Sequence, residues 1–230
     1  GPVLTYGFAE DADVRATDLR PEGSGAHFTA VFKDGTREAI YLNLPGRHNV
    51  QNTLVALAIA RELAVSMDAV RRALSGFAGV GRRCEPHGLL AIGSANVILI
   101  DDYGHHPREL AATFEAVRTA HPGQRLVVAF QPHRYSRTRD LFDEFGEVLS
   151  SVDALLLLEV YAAGEAPIAG YDSKALARGI RARGKVEPVV LRTVAELPAA
   201  LDGVVHDGDV LLTVGAGDVG AAPGMLVQQF

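Results

Sequence analysis

After about residue 96 the chain repeats one pattern: a short continuous apolar run, a polar break, then an amphipathic stretch of helical period. The runs NVILID, RLVVAF, DALLLLEV, EPVVLR and DVLLTVG read as strands. They do not alternate apolar with polar residues, so both of their faces are expected to be covered. Between them, PRELAATFEAVRTA, RDLFDEFGEVLS, SKALARGIRAR and the shorter VAELPAAL, broken around Pro198, read as helices. Pro107 in a first turn with Glu109 close behind marks the start of the first of these. Five strands alternating with helices predict an α/β fold, a doubly wound, mostly parallel sheet.

The front of the chain follows a different rule. PVLTYGF, DVRATDLR, HFTAVFKDG and REAIYLNL read as short β segments, with PEGSG and DG as turns between them. An Ala- and Leu-rich helix is expected over residues 50–64, then a second helix with Ser66 as N-cap and Gly76 as stop. FAGVGRR reads as a linker, which sets a boundary near residue 80 between a partial α+β segment (1–80) and the doubly wound domain (81–230). Gly1 and Pro2 read as a remnant of proteolytic cleavage and carry no weight.

Composition narrows the partners. With 48% hydrophobic and 22% charged residues in 230, this is an ordinary globular chain. A net charge of −6 argues against nucleic acid or an anionic membrane as the main partner. No apolar run approaches the roughly 18 residues of a membrane helix. Cys84 is the single cysteine, so no internal disulfide can form, which fits a reducing cytoplasm.

Ligands of open α/β sheets bind beyond the carboxyl ends of the strands. DDYGHHP, QPHRYSR, EVYAAGE and GAGDVG all leave strands at that edge, so polar chemistry collects on one rim. In DDYGHHP a histidine, His105 or His106, could act as a general base, since imidazole titrates near neutrality. Asp101 or Asp102 could accept from ribose hydroxyls. Adjacent histidines in extended backbone point apart, which weakens a metal site built on His105 and His106. A plain capping loop is the competing reading. QPHRYSRTR brings His133, Arg134, Arg137 and Arg139 to one strand end, where arginine forks suit a carboxylate or phosphate; a solvated basic turn competes. GAGDVG matches G-x-G-x-x-G, but only ten residues follow Gly220, so it reads as a close-packing glycine turn and not a dinucleotide fingerprint. In GRHNVQN, the side chains of His48, Asn49 and Asn52 suit the edge of a base, although Asn49 serves equally well as an N-cap. No G-x-x-x-x-G-K-[ST] phosphate cradle occurs in the sequence.

Taken in order, LPGRHNVQN, GVGRR, DDYGHHP, FQPHRYSRTRDLF, LLLEVYAAGEAPI and GAGDVG resemble the Mur ligases over almost the whole chain. The resemblance implies the tail of a central ATPase domain followed by a complete Rossmann-like C-terminal domain. The family's UDP-sugar domain, its P-loop and most of its magnesium ligands find no match, so this stretch alone is expected to be inactive. The implied reaction uses ATP, with Mg2+, to activate a carboxylate for attack by an amino acid's amine. By resemblance, His48, Asn49, Asn52, Arg83 and Asp101 or Asp102 serve ATP. Tyr103 and His105 sit near the incoming amine, and His133, Arg134 and Arg137 hold the carboxylate, when the C-terminal domain closes on the central one. The member that recycles a tripeptide typically has Phe and Ala where this chain has Tyr103 and Gly104. Those two residues favour L-alanine and UDP-N-acetylmuramate as substrates. A non-catalytic module binding a nucleotide or small anion is the reading from another class.

Overall fold

The computed structural model describes residues 3–23, 25–77 and 79–230, in two units, Gly1–Val80 and Gly81–Phe230. Gly1 and Pro2, one residue of the PEGSG turn and one of the FAGVGRR linker lie outside the described residues.

The first unit is a sheet in the order β1 (Tyr6–Gly7), β2 (Val14–Glu22), β3 (Gly25–Phe32), β4 (Arg37–Leu42). Strands β2 to β4 are antiparallel, and the two-residue β1 runs parallel to β2. Period-two alternation puts Phe28, Ala30 and Phe32 on one face. Against them lie Val50, Leu54, Leu57 and Ala58 of α1 (Arg47–Glu62), which share a helix face by their spacing. α2 (Met67–Ser75) follows, with the Ser66 side chain accepting from the Ala69 N–H and Gly76 as its C-cap, as the sequence predicts.

The second unit is the doubly wound sheet, with one strand more than the pattern predicts. Its order is β5–β6–β10–β7–β8–β9. β6 (Ala95–Asp102), β7 (Leu126–Phe130), β8 (Ala154–Leu158), β9 (Pro188–Leu191) and β10 (Val210–Val214) are parallel. The extra strand, β5 (Glu85–Ile92), is antiparallel and lies on the edge beside β6. Its burial is mixed and it carries Pro86 and a bulge before Gly88, so it lacks the continuous apolar run that reveals the others.

Three connections run across the sheet in one direction, and their helices α3 (Pro107–Ala120), α5 (Phe142–Leu149) and α6 (Ser173–Ala182) share one face. The short α4 (Tyr135–Asp140) precedes α5, and a kink at Leu141 (φ −122°) splits what the sequence suggests is one helix. The last connection turns back. It carries α7 (Leu197–Asp202), in whose first turn Pro198 sits, to the other face and lays β10 between β6 and β7. Right-handed crossovers require this change of face when the direction reverses. α8 (Ala222–Gln229) joins α7 there. Each face buries its own core: Phe114, Phe130, Phe145 and Ile180 on one side, Leu99, Leu156, Leu201 and Leu226 on the other.

Because the central strands of the second unit are covered on both faces and the first unit has a single one-sided core, amides of β6, β7 and β10 should be the last to exchange with deuterium. Native-state exchange followed by NMR should show β2–β4 opening at lower free energy. Slower exchange in β2–β4 than in β10 would reverse this ranking of the two units.

Candidate functional site

The return of β10 to the middle of the sheet creates the switch point at which α/β sheets bind ligands. Three loops meet there, after β6, β7 and β10. Gly215, at φ +143°, donates its N–H to the Asp102 carbonyl at 3.2 Å, and Gln131 donates its N–H to the Val214 carbonyl at 3.1 Å. A Cβ on Gly215 would stand 2.8 Å from the Gln131 carbonyl, and one on Gly217 would stand 2.7 Å from the Tyr161 ring. The glycines of GAGDVG are therefore spent on close approach between loops. A helix, α8, does follow them, but its role is to cover the sheet.

Arg82 ties these loops together. Its Nε donates to Asp101 Oδ2 at 2.7 Å and one terminal nitrogen donates to the Gly215 carbonyl at 2.6 Å. Its own carbonyl accepts from the Tyr103 N–H at 2.7 Å, and its backbone N–H donates to Glu85 at 2.7 Å. Asp101, 1% exposed, also accepts from Thr213 Oγ1 at 2.6 Å. Asp102 accepts from the N–H of Cys84, the N–H of Gly104 and the hydroxyl of Thr113. Both carboxylates are thus buried and engaged within the chain. The ribose contact expected of one of them finds no open carboxylate in this arrangement; the pair orders the loop instead. Arg83, by contrast, is exposed on the rim.

Above this base stands a row of rings. Tyr103 meets His105 edge-on at 5.4 Å, His105 meets His133 at 5.8 Å, and His133 stacks on Tyr161 at 5.4 Å and 18°. Their partners fix the protons. His105 Nδ1 lies 3.2 Å from the Tyr103 carbonyl, which can only accept, so Nδ1 carries the hydrogen and Nε2 keeps a lone pair. His133 Nδ1 lies 3.3 Å from an Arg137 nitrogen, which can only donate, so there the hydrogen sits on Nε2. Burial lowers the His133 pKa, and the charges of Arg137, His105 and Arg134 lower it further against the opposing Glu165. Burial raises the Glu109 carboxyl, but the N–H groups of His105 and His106 and the nearby His105 and Arg83 charges outweigh it and leave the group below its ordinary value. Glu109 with His106 forms a capping box at the start of α3, so His106 is a cap and its ring does not join His105.

The two arginines expected to act together diverge. Arg134, at φ +75°, is exposed and reaches toward Glu165 at 3.7 Å. Arg137 turns inward to the ring and carbonyl of His133. Glu165 also accepts from the Ser136 N–H at 2.9 Å and its hydroxyl at 2.6 Å. Arg139 pairs with Asp140 away from this row. Among the described residues no group of three His, Cys, Asp or Glu side chains is placed to hold a metal ion.

The remaining predicted residues belong to the first unit. Gly46, at φ +98°, is the N-cap of α1, so Asn49 is not. The Asn49 amide donates to the Pro45 carbonyl at 2.7 Å. His48 and Asn52 are exposed on the first turns. Sequence reasoning missed Arg82, Tyr161 and Glu165. Two adjacent arginines give no sign of which turns inward, whereas EVYAAGE had already been placed on the rim and its tyrosine and second acid could have been named.

Comparison with known proteins gives a consistent family. The model for the Mur ligase glutamate ligase domain matches residues 82–217, and that for the Mur ligase middle domain matches residues 1–60. A curated UDP-N-acetylmuramate–L-alanine ligase from Paraburkholderia phytofirmans is 54% identical, covering 99% of this chain and 50% of its own length. The Delftia acidovorans protein of that name is 55% identical, covering 99% and 48%. A solved UDP-N-acetylmuramate–alanine ligase from Thermotoga maritima superposes with a TM-score of 0.70 at 25% identity, over 98% of this chain and 47% of that one. The chain spans about half the length of the curated relatives it matches.

Arg82→Ala should strand the buried Asp101 charge and destabilise the second unit by about 3–5 kcal/mol. Arg83→Ala should stay within about 0.5 kcal/mol of the parent. Urea unfolding of both variants checks this, and equal effects would remove Arg82 from its anchoring role.

Proposed function

This chain belongs to the Mur ligase family, and from that premise we propose that its protein joins L-alanine to UDP-N-acetylmuramate at the expense of ATP, in cytoplasmic peptidoglycan synthesis. In this reading the first unit is the tail of the central ATPase domain and the second is the C-terminal domain. The observation that carries it is the rim of the second unit. There an exposed arginine, Arg134, stands beside two imidazoles 5.8 Å apart, one offering a lone pair and the other an N–H. An amino acid presents a carboxylate and an amine to match. Gly104 favours alanine addition over tripeptide recycling: a Cβ there would lie 2.8 Å from Asp102 Oδ1, so this loop does not admit an alanine.

ATP supplies the phosphoryl group that activates the muramate carboxylate as an acyl phosphate. The alanine amine attacks that carbonyl, a tetrahedral centre forms, and phosphate leaves as the amide bond is made. Arg134 holds the alanine carboxylate. His105 takes the proton released by the attacking amine at Nε2, and Glu109, 3.8 Å from its Nδ1, steadies the charge that results. His133 offers its Nε2–H to an oxygen of the reacting pair. Tyr103, 40% exposed, walls this space beside His105.

The first unit fits a nucleotide base in its donor set. The Asn52 side chain has no in-chain hydrogen bond among the described residues, so its amide is free to pair with an adenine edge, with His48 and Asn49 beside it. Arg83, exposed on the second unit, is assigned to ATP in this reading. Mg2+ accompanies ATP in this reading, and among the described residues no group of three or more His, Cys, Asp or Glu side chains is placed to hold it.

The test is the full-length protein, assayed for phosphate release that requires both L-alanine and UDP-N-acetylmuramate. Arg134→Ala should raise the KM for L-alanine by the equivalent of about 2–5 kcal/mol, with KM for ATP and the UDP-sugar unchanged. His105→Ala should lower kcat about 10²–10⁴-fold. A KM for alanine that stays put while that for ATP rises would move Arg134 to the nucleotide and defeat this assignment.

A further inference from the structure

The resemblance places Arg137 on the substrate carboxylate and gives Tyr161 no part. The geometry points elsewhere. We propose that Tyr161 and Arg137 are positioning residues that together fix the ring plane and tautomer of His133, so that its Nε2–H is the donor presented at the rim.

Five contacts converge on His133. Its Nδ1 and its carbonyl both face one Arg137 nitrogen, at 3.3 and 3.2 Å, as the i and i+4 partners of a tight turn into α4. Its ring lies 18° from parallel to that of Tyr161. Its backbone forms an isolated parallel bridge with Tyr161, in which the Tyr161 N–H donates to the Pro132 carbonyl and the Tyr161 carbonyl accepts from the Arg134 N–H, each at 2.8 Å. On the other side the ring meets His105.

The chemistry is one-directional. A guanidinium has no lone pair to give, so an Arg137 N–H at Nδ1 excludes a proton from that nitrogen. It also sets a cation against any imidazolium, which agrees with the depressed His133 pKa. The stacked ring, 37% exposed, limits rotation about the His133 side chain and is itself seated against Gly217, where a Cβ would leave only 2.7 Å. The bridge does the same for the main chain of Arg134, whose positive φ an unsupported arginine rarely holds. A single residue of the loop after β8, Tyr161, thus sets both groups that follow β7. His105 and His133 then differ in kind: at Nε2 one accepts and the other donates. The tautomer rests on this geometry alone; its use for L-alanine rests on the proposed function.

Long-range ¹H–¹⁵N spectra of the imidazoles read the tautomer directly in this chain. Unaltered, His133 should show Nε2 protonated and Nδ1 bare across neutral pH. Arg137→Ala should let the Nδ1–H form appear and move the His133 titration to higher pH. Tyr161→Leu should broaden the tautomer balance, and Tyr161→Phe, which keeps the stacking face, should restore it. In the full-length protein, kcat/KM for the amino acid should fall about tenfold in Tyr161→Leu and recover to within about twofold in Tyr161→Phe, the scale of one lost ring contact. Nδ1 protonated in the unaltered chain, or a tautomer unmoved by both Arg137→Ala and Tyr161→Leu, would overturn the proposal. Spectra as expected in a full-length protein that does not use L-alanine would leave this clamp standing and remove the proposed function.

Discussion

The structure of the rim depends on the place of one strand. β10 closes the second unit by lying between β6 and β7, and that insertion brings three loops to one point that consecutive strands would have kept apart. The loops cannot meet there unless main chains approach closely, which Gly215 and Gly217 allow against Gln131 and Tyr161. Nor can they stay unless the carboxylates at the end of β6 find partners. Asp101 and Asp102 are almost wholly buried, and a buried charge is tolerated only when it is paired and hydrogen-bonded. Arg82 meets that requirement for Asp101 and reaches the Gly215 carbonyl with the same guanidinium. The titratable residues crowding the end of VILIDDYGHHP therefore divide into two layers. Two acids hold the loops together from beneath, and above them lie Tyr103, which is exposed, and His105, which is half-buried.

That upper layer shows how neutral side chains acquire opposite roles. His105 and His133 are the same residue type at comparable depth, yet a backbone carbonyl fixes one proton and a guanidinium excludes the other. Arg134 remains open because Glu165 is occupied mainly by Ser136, and its separation of 3.7 Å from Arg134 leaves a loose pair. A loose pair at the surface costs little to exchange for an incoming carboxylate.

The fold class was legible because buried parallel strands are continuous apolar runs, and NVILID, RLVVAF and DVLLTVG carry that signature without interruption. β5 was not legible: an edge strand with Pro86 and a bulge carries a mixed pattern. The helix break at Leu141 escaped for a related reason, since periodicity continues through a single kinked residue. At the site, sequence placed the four polar segments at the carboxyl ends of the strands, where the structure has them. It could not tell which charged side chains turn inward. Asp101, Asp102 and Arg137 read as ligand contacts and are found engaged within the chain, while Arg82, next to the predicted Arg83, is the anchor. For Asp101 and Arg82 that orientation is set by partners more than a hundred residues away, Thr213 and Gly215, which no local pattern reports.

Under the proposed function, Arg134 and the two imidazoles of this rim recognise an amino acid. Titration of isotope-labelled chain with L-alanine, followed residue by residue by NMR, tests it most directly. The account predicts saturable shifts confined to Tyr103–His106, His133–Arg137 and Tyr161–Glu165, absent in Arg134→Ala. Shifts centred instead on the groove lined by Arg118, His121 and Arg125 at the opposite end of the sheet, or shifts at the rim that persist undiminished without Arg134, would contradict it.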